Sequence, residues 1–195
     1  MTQTDSRFYI FRPGVAPKIG KWFLMDETDL HLCPDLDTQG LHHLGTQPII
    51  RAPGKDEVAY LFGSVDPFSG EGLFEIYDRK RSEEFCLHLE HLQEMFPDHF
   101  LFVGCDNAPA HQSWDTTAFL KDKQNHLEVV YFPTYSPNLN GIEHLWAFLR
   151  QQMTRNTVYE SLDAECVAIC AWLKALPFER IIQTLGTMKK LTKAS

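Results

Sequence analysis

Apolar and polar residues alternate along the chain with two different periods, which predict strands and helices in turn. Short apolar runs bounded by charged or turn-forming residues, such as KWFLMDE at residues 21–27, have the length of buried strands. Two β-rich runs on either side of the turn-forming sequence PFSGE predict an antiparallel hairpin. The predicted strands are residues 21–27, 57–66, 72–79, 100–105 and 128–132.

Between and after these strands, apolar residues recur at helical spacing. The clearest repeat places Ile142, Leu145, Trp146 and Leu149 on one face of a helix, so Trp146 is predicted to be a core residue. Strands that alternate with helices in this way predict an α/β fold, a mixed five-stranded sheet flanked by helices on both faces. The other predicted helical segments are residues 82–96, residues 113–124 and parts of residues 161–185.

Length and composition favour one domain in the cytoplasm. Of 195 residues, 44% are apolar, which is enough for one sizeable core, and residues 21–185 are interpreted as that domain. Residues 1–20 are interpreted as an N-terminal extension without a signal peptide, and residues 186–195 as a basic flexible tail. No apolar run approaches the ~20 residues that span a bilayer. Five cysteines without a C-x-x-C pair are interpreted as reduced thiols.

The net charge of −8 argues against a general surface for nucleic acid, although a local basic stripe or a bound divalent ion reverses the sign where contact occurs. A basic cluster at residues 79–81 follows the hairpin and is interpreted as a solvated turn, with phosphate contact as the alternative. His31, Cys33, His42 and His43 are possible zinc ligands, but their spacing matches no common zinc module.

Two aspartates each end a predicted central strand, where α/β folds collect functional groups. Asp26 follows the first apolar run and Asp106 follows FLFVGC. Parallel strands would bring these carboxylates close together, and their repulsion suggests a shared proton or a divalent cation such as Mg²⁺ or Mn²⁺. The alternatives are a solvated strand end for Asp26 and an Asx turn for Asp106. Because side chains alternate across a sheet, only one of Asp26 and Glu27 can share a face with Asp106.

A third acid, Glu143, begins the helix that contains Trp146. With Asn140 as the N-cap, Glu143 occupies the acidic position of a capping box. A carboxylate in the first turn also projects toward whatever crevice the end of the helix faces. The pattern alone therefore leaves both helix capping and metal binding as roles for Glu143.

Three blocks that contain these acids carry a resemblance. FLMDET at residues 23–28, DNAPAH at residues 106–111 and YSPNLNGIEHLWAFLR at residues 135–150 resemble the acidic blocks of the DDE transposases, in particular the bacterial insertion-sequence branch of the mariner-type superfamily. The resemblance covers about residue 22 to about residue 150. The 36 residues between Asp106 and Glu143 are close to the family's usual spacing.

The resemblance implies an RNase H-like (retroviral-integrase-like) fold with Asp26, Asp106 and Glu143 as catalytic metal ligands. It implies Mg²⁺ or Mn²⁺, two ions in all, which serve DNA strand cleavage and strand transfer during transposition of an insertion sequence. The partners are then transposon ends and target DNA, with a homodimer as the active form. Gly141 stands where the family usually has proline. The residues before the first strand are too few for the family's helix-turn-helix, so that DNA-recognition region is expected to be absent here.

Four further residues are predicted to contact nucleic acid: Asn107, His111, Tyr135 and Ser136. Structural hydrogen bonding is the alternative for Asn107 and His111, and aromatic packing is the alternative for Tyr135. Two other functions compete with transposition. One is a stand-alone RNase H-like nuclease, and the other is a domesticated interaction domain that retains the fold without catalysis.

Overall fold

Five strands form one mixed sheet in the order β3-β2-β1-β4-β5 in the computed structural model, which describes residues 19–33, 57–133 and 140–186. β1 pairs in parallel with β4, and β4 in parallel with β5, while the β1–β2 and β2–β3 pairs are antiparallel. The strands are β1 (Ile19–His31), β2 (Val58–Val65), β3 (Gly72–Tyr77), β4 (His99–Cys105) and β5 (Leu127–Tyr131).

In the part of the chain that the structure describes, five α-helices cover the two faces of the sheet. The helices are α1 (Ser82–Met95), α2 (Trp114–Lys123), α3 (Ile142–Leu149), α4 (Leu162–Ala175) and α5 (Phe178–Leu185). A short 3-10 helix (Pro109–Gln112) connects β4 to α2, and a π-helical turn (Arg150–Thr154) continues α3. No helix in the described ranges is long and apolar enough to cross a membrane.

Alternation along β1 divides the core into two clusters. Phe23 and Met25 lie on the side covered by α1 and α2, here called the α1 face, where Phe85 and Leu89 are fully buried. Leu24 lies on the opposite side, the α3 face, in a cluster with residues of α3, α4 and α5. Residues 26 and 27 therefore point to different faces.

The predicted order of strands and helices and the mixed five-stranded sheet are confirmed. One boundary was wrong. β1 continues to His31, because its antiparallel pairing with β2 extends to the pair His31↔Val58. Asp26 therefore lies inside a strand and pairs with Gly63, whereas the sequence placed it at a strand end. The start of β1 at Ile19 falls within the predicted extension of residues 1–20, and Gly186 caps α5.

Candidate metal centre

Asp26 and Asp106 lie where the parallel pairing between β1 and β4 stops. The last pair of that ladder is Leu24↔Gly104, and each aspartate is two residues further along its own chain segment. The pKa of Asp26 is raised to about 7, by burial first and then by the negative charges of Glu27 and Asp106, against hydrogen bonds that favour the ionised form. The charge of Asp106 thus contributes to the raised pKa of Asp26, after burial and the charge of Glu27.

The side chain of Asp26 faces α3 and accepts a hydrogen bond from that helix. The indole Nε1–H of Trp146 donates a hydrogen bond to Asp26 Oδ2 at 3.1 Å. Trp146 is 2% exposed, so its predicted place in the core is confirmed, but its polar contact with the acid was missed. The sequence signal available for this contact was a tryptophan, whose indole N–H is a hydrogen-bond donor, three residues after a first-turn glutamate.

Three side chains align α3 with β1. Asn140 Nδ2 donates to the carbonyl oxygen of Met25 at 3.1 Å, and Arg150 Nη1 donates to Thr28 Oγ1 at 3.0 Å. With Trp146 on Asp26 between them, the helix runs along the strand in the same direction. Glu143 is exposed in the first turn, between the Asn140 and Trp146 contacts, and it makes no side-chain hydrogen bond to the described residues.

The predicted N-cap was wrong. α3 begins at Ile142 with Gly141 as its N-cap, and no side chain caps it: Nδ2 of Asn140 donates to β1, and Oδ1, the atom that would cap the helix, accepts no hydrogen bond from the described residues. Glu143 is therefore not part of a capping box. A Cβ at position 141 would lie 2.8 Å from the carbonyl oxygen of Leu185, so the glycine allows the close approach of α5.

Asp106 combines the two roles that the sequence left open. Its Oδ1 accepts a hydrogen bond from the backbone N–H of Ala108 at 3.0 Å, which is the predicted Asx turn. The same oxygen lies 2.9 Å from His111 Nδ1. The side chain is nevertheless 59% exposed, and its Oδ2 accepts no hydrogen bond within the described part of the chain. One carboxylate oxygen is thus fixed and the other is open to a cation.

Glu27 and His111 meet on the α1 face. Glu27 Oε1 and His111 Nε2 are 2.9 Å apart, and both side chains are almost fully buried. The His111 ring stacks on Phe85 with centroids 4.2 Å apart. Burial lowers the pKa of His111, but hydrogen bonds to Cys105 and Glu27 outweigh it and raise the pKa to about 11.

The residues predicted to contact DNA are placed differently. His111 is buried with both ring nitrogens engaged by protein groups. Asn107 donates to the carbonyl of Phe132 and accepts from Gln112 at 2.7 Å, so it supports the loops after β4 and β5. Tyr135 and Ser136 lie outside the described residues. Contact of these four residues with DNA stays a prediction.

The donor set suits a hard divalent cation, since carboxylate oxygens are the ligands that Mg²⁺ and Mn²⁺ prefer. The raised pKa of Asp26 is the structural sign of fit, because a nearby cation would offset both the burial of this carboxylate and the negative charges of Glu27 and Asp106. Within residues 19–33, 57–133 and 140–186, no group of three His, Cys, Asp or Glu side chains is close enough to hold a metal ion. The structure therefore does not bring the three predicted ligands, Asp26, Asp106 and Glu143, into one such group. The same finding leaves the zinc hypothesis without support from His31 and Cys33, while His42 and His43 lie outside the described residues.

A mixed sheet of this order, with coupled acids on its central strands and a third acid on a flanking helix, defines the RNase H-like class of folds. The catalytic domain of Mos1 mariner transposase has this fold, with a TM-score of 0.59 and 16% identity over 87% of this chain and 78% of that one. The Mos1 transposase paired-end complex with left transposon end gives a TM-score of 0.69 at 18% identity, over 87% of this chain and 52% of that chain.

The model of the family "DDE superfamily endonuclease" matches residues 21–164, and the chain belongs to that family. A relative from Shigella sonnei, "Insertion element IS630 uncharacterized 39 kDa protein", is 31% identical over 135 residues, which are 69% of this chain and 39% of the relative. A Sinorhizobium fredii (strain NBRC 101917 / NGR234) protein, "Uncharacterized protein y4pE/y4sA", is 28% identical over 66% of this chain and 93% of its own length. The chain thus spans well under half of the insertion-element protein and about half of the Mos1 chain.

Proposed function

We propose that this chain carries the catalytic domain of an insertion-sequence transposase, which cuts DNA strands and joins the freed ends to a target. Membership of the DDE endonuclease family and the relative named for insertion element IS630 support this function. Solved Mos1 complexes described as a strand transfer complex and as paired-end complexes with Mn or with Mg support the reaction type and the cofactor.

The single observation that carries the proposal is the position of Asp26 and Asp106, each two residues beyond the last pair of the parallel β1–β4 ladder. Asp26, Asp106 and Glu143 would hold Mg²⁺ or Mn²⁺, two ions in all. When bound, such ions stabilise the attacking and leaving oxygens of a phosphoryl transfer. With its pKa at about 7, Asp26 is about half protonated near neutral pH, and a bound cation would favour the ionised form.

The chain's own residues position these ligands. Trp146 donates to Asp26 Oδ2 and so orients that carboxylate. The Asx turn orients Asp106, so that Oδ1 is held and Oδ2 is open. Asn140 and Trp146 anchor α3 on either side of Glu143, whose side chain is exposed in the first turn of the helix.

DNA is the proposed partner, and two copies of the chain are proposed to act on two DNA ends, which the paired-end assembly of Mos1 transposase supports. Because the chain carries a net charge of −8, its contact with DNA at this site depends on the bound cations.

The test uses labelled duplexes made from the DNA that flanks the coding sequence, incubated with the protein and Mg²⁺ or Mn²⁺. We expect metal-dependent strand cuts and joined products from the wild-type chain. Asp106→Asn and Glu143→Gln should abolish both, whereas Asp29→Asn, a change at an exposed acid paired with Lys80, should not. Cutting without joining would favour a stand-alone nuclease. Absence of any metal-dependent cutting would refute catalysis and leave an interaction domain.

A further inference from the structure

A buried chain of side chains reaches the open aspartate from the far side of the sheet. Glu27 Oε1 lies 2.9 Å from His111 Nε2, and His111 Nδ1 lies 2.9 Å from Asp106 Oδ1. Glu27 is on the α1 face, opposite Asp26, so it is not a ligand on the same side as Asp26. We propose that Glu27 and His111 are positioning residues, which fix the Asp106 carboxylate for divalent-cation binding. This inference rests on the proposed function of the acidic site.

Acceptor oxygens face both nitrogens of the ring. Glu27 Oε1 lies 2.9 Å from Nε2, while Nδ1 lies 3.2 Å from the backbone carbonyl oxygen of Asp106 and 2.9 Å from its Oδ1. His111 thus contacts both the backbone and the carboxylate of Asp106. These contacts restrict Asp106 more strongly than the Asx turn alone.

The imidazole is itself held from three sides. Phe85 of α1 stacks against the ring face at a centroid distance of 4.2 Å and an interplanar angle of 26°. Tyr131 of β5 donates from its hydroxyl to the backbone carbonyl of His111 at 2.6 Å. Glu27 of β1 fixes the Nε2 end. Because the ring and its backbone are both fixed, His111 can hold the aspartate in one orientation.

This fixation acts on one oxygen of Asp106. The Ala108 N–H donates to Oδ1 and His111 Nδ1 lies 2.9 Å from the same oxygen, whereas Oδ2 is left without a hydrogen bond to the described residues. An exposed carboxylate without these donors would rotate freely and would lose rotamer entropy when it bound a cation. Outer partners of this type typically change metal affinity by 10- to 100-fold.

The rival explanation is that Glu27 and His111 serve only to satisfy each other inside the core. The chain offers a matched control for that explanation. His88 is fully buried on the same face, with Nδ1 2.8 Å from Glu75 Oε2 and Nε2 2.9 Å from Ser64 Oγ. It is also a buried histidine paired with a carboxylate, but no aspartate of the site contacts it.

The experiment measures Mn²⁺ binding to the full chain without DNA, by calorimetry and by the electron paramagnetic resonance of free Mn²⁺. The test variant is the pair Glu27→Gln and His111→Phe, which keeps the stacked ring, removes both hydrogen bonds of the imidazole and leaves no buried carboxylate unpaired. A second variant, His111→Gln, keeps at most one of the two bonds. The control is the pair Glu75→Gln and His88→Phe.

We expect both test variants to bind Mn²⁺ at least about tenfold more weakly than the wild-type chain, and the control pair to bind it within about twofold. Near-UV circular dichroism identifies the variants that are folded. Wild-type affinity in a folded test variant, or an equal loss in the control pair, would overturn the inference. If the wild-type chain and Asp106→Asn bind Mn²⁺ equally, the acidic site itself is refuted, which is a different outcome.

Discussion

Replacement of Asp26 by asparagine is expected to stabilise the protein, and to do so more strongly as the pH rises. Asparagine keeps the size of the side chain and an oxygen that accepts from the Trp146 indole, but it removes a charge that burial, Glu27 and Asp106 disfavour. A residue that we propose as a metal ligand thus weakens the metal-free fold. We therefore expect activity and stability to change in opposite directions in this variant.

The sign and size follow from the pKa. A carboxyl whose pKa is 3.8 in the unfolded chain and about 7 in the folded chain keeps its proton up to a higher pH when the chain is folded. Its folded state therefore loses stability as the pH rises from about 4 to about 7, because ionisation is easier after unfolding. The full difference corresponds to about 4 kcal/mol, of which about 2 kcal/mol falls between pH 5 and pH 8.

The assay is equilibrium unfolding in urea at pH 5 and pH 8, with a chelator present, for the wild type and for Asp26→Asn. The advantage of the variant in free energy of unfolding should grow by about 2 kcal/mol between the two pH values. Mg²⁺ at pH 8 should then stabilise the wild type and not the variant. As a control, Asp29→Asn removes an exposed ion pair and should change stability by less than about 1 kcal/mol at either pH. Parallel pH profiles for the wild type and Asp26→Asn would refute the reasoning.

Two further predictions concern other parts of the fold. Gly141→Ala should lower the free energy of unfolding by about 1–3 kcal/mol, since the new Cβ would lie 2.8 Å from the Leu185 carbonyl oxygen; urea unfolding with wild-type stability would contradict this. Burial by itself would raise the pKa of the Glu75 carboxyl, but hydrogen bonds with His88, Tyr77 and His91 outweigh it and lower the pKa to about 2. The stabilisation that the ionised Glu75 gives is therefore present above pH 4.5 and lost as the pH falls toward 2. In urea unfolding, Glu75→Gln should destabilise the protein at pH 7 and be nearly neutral near pH 2. An equal loss of unfolding free energy at both pH values would contradict this prediction.

Local patterns predicted the elements of the site because each of them depends on residues close in sequence. The Asx turn at Asp106 needs only the N–H two residues on, and the helical repeat that contains Trp146 needs only its own face. The extent of β1 was not predictable in this way. Its last residues are strand because β2 pairs with them, and β2 begins more than 25 residues later in the sequence.

The cap of α3 shows the same limit from the other direction. Asn140 has a high preference for an N-cap, yet its amide bonds to Met25, 115 residues earlier in the chain. The packing of α3 on β1 directs the Asn140 side chain to that strand, and the side chain does not cap the helix. The capping box was a sound local prediction that a tertiary contact overrode.

By itself, the sequence determined which side chains are available for chemistry and which segments carry them: two aspartates after apolar runs, and a glutamate that opens an amphipathic helix. The tertiary structure alone decided their partners, as with Trp146 for Asp26 and the Glu27–His111 pair for Asp106. Strand and helix periods arise from backbone geometry over a few residues, whereas these pairings join residues 84 and 120 positions apart, except for the bond between His111 and Asp106. Such contacts form only when the sheet has brought distant segments of the chain together. Chain closure and packing therefore decide which residues become partners.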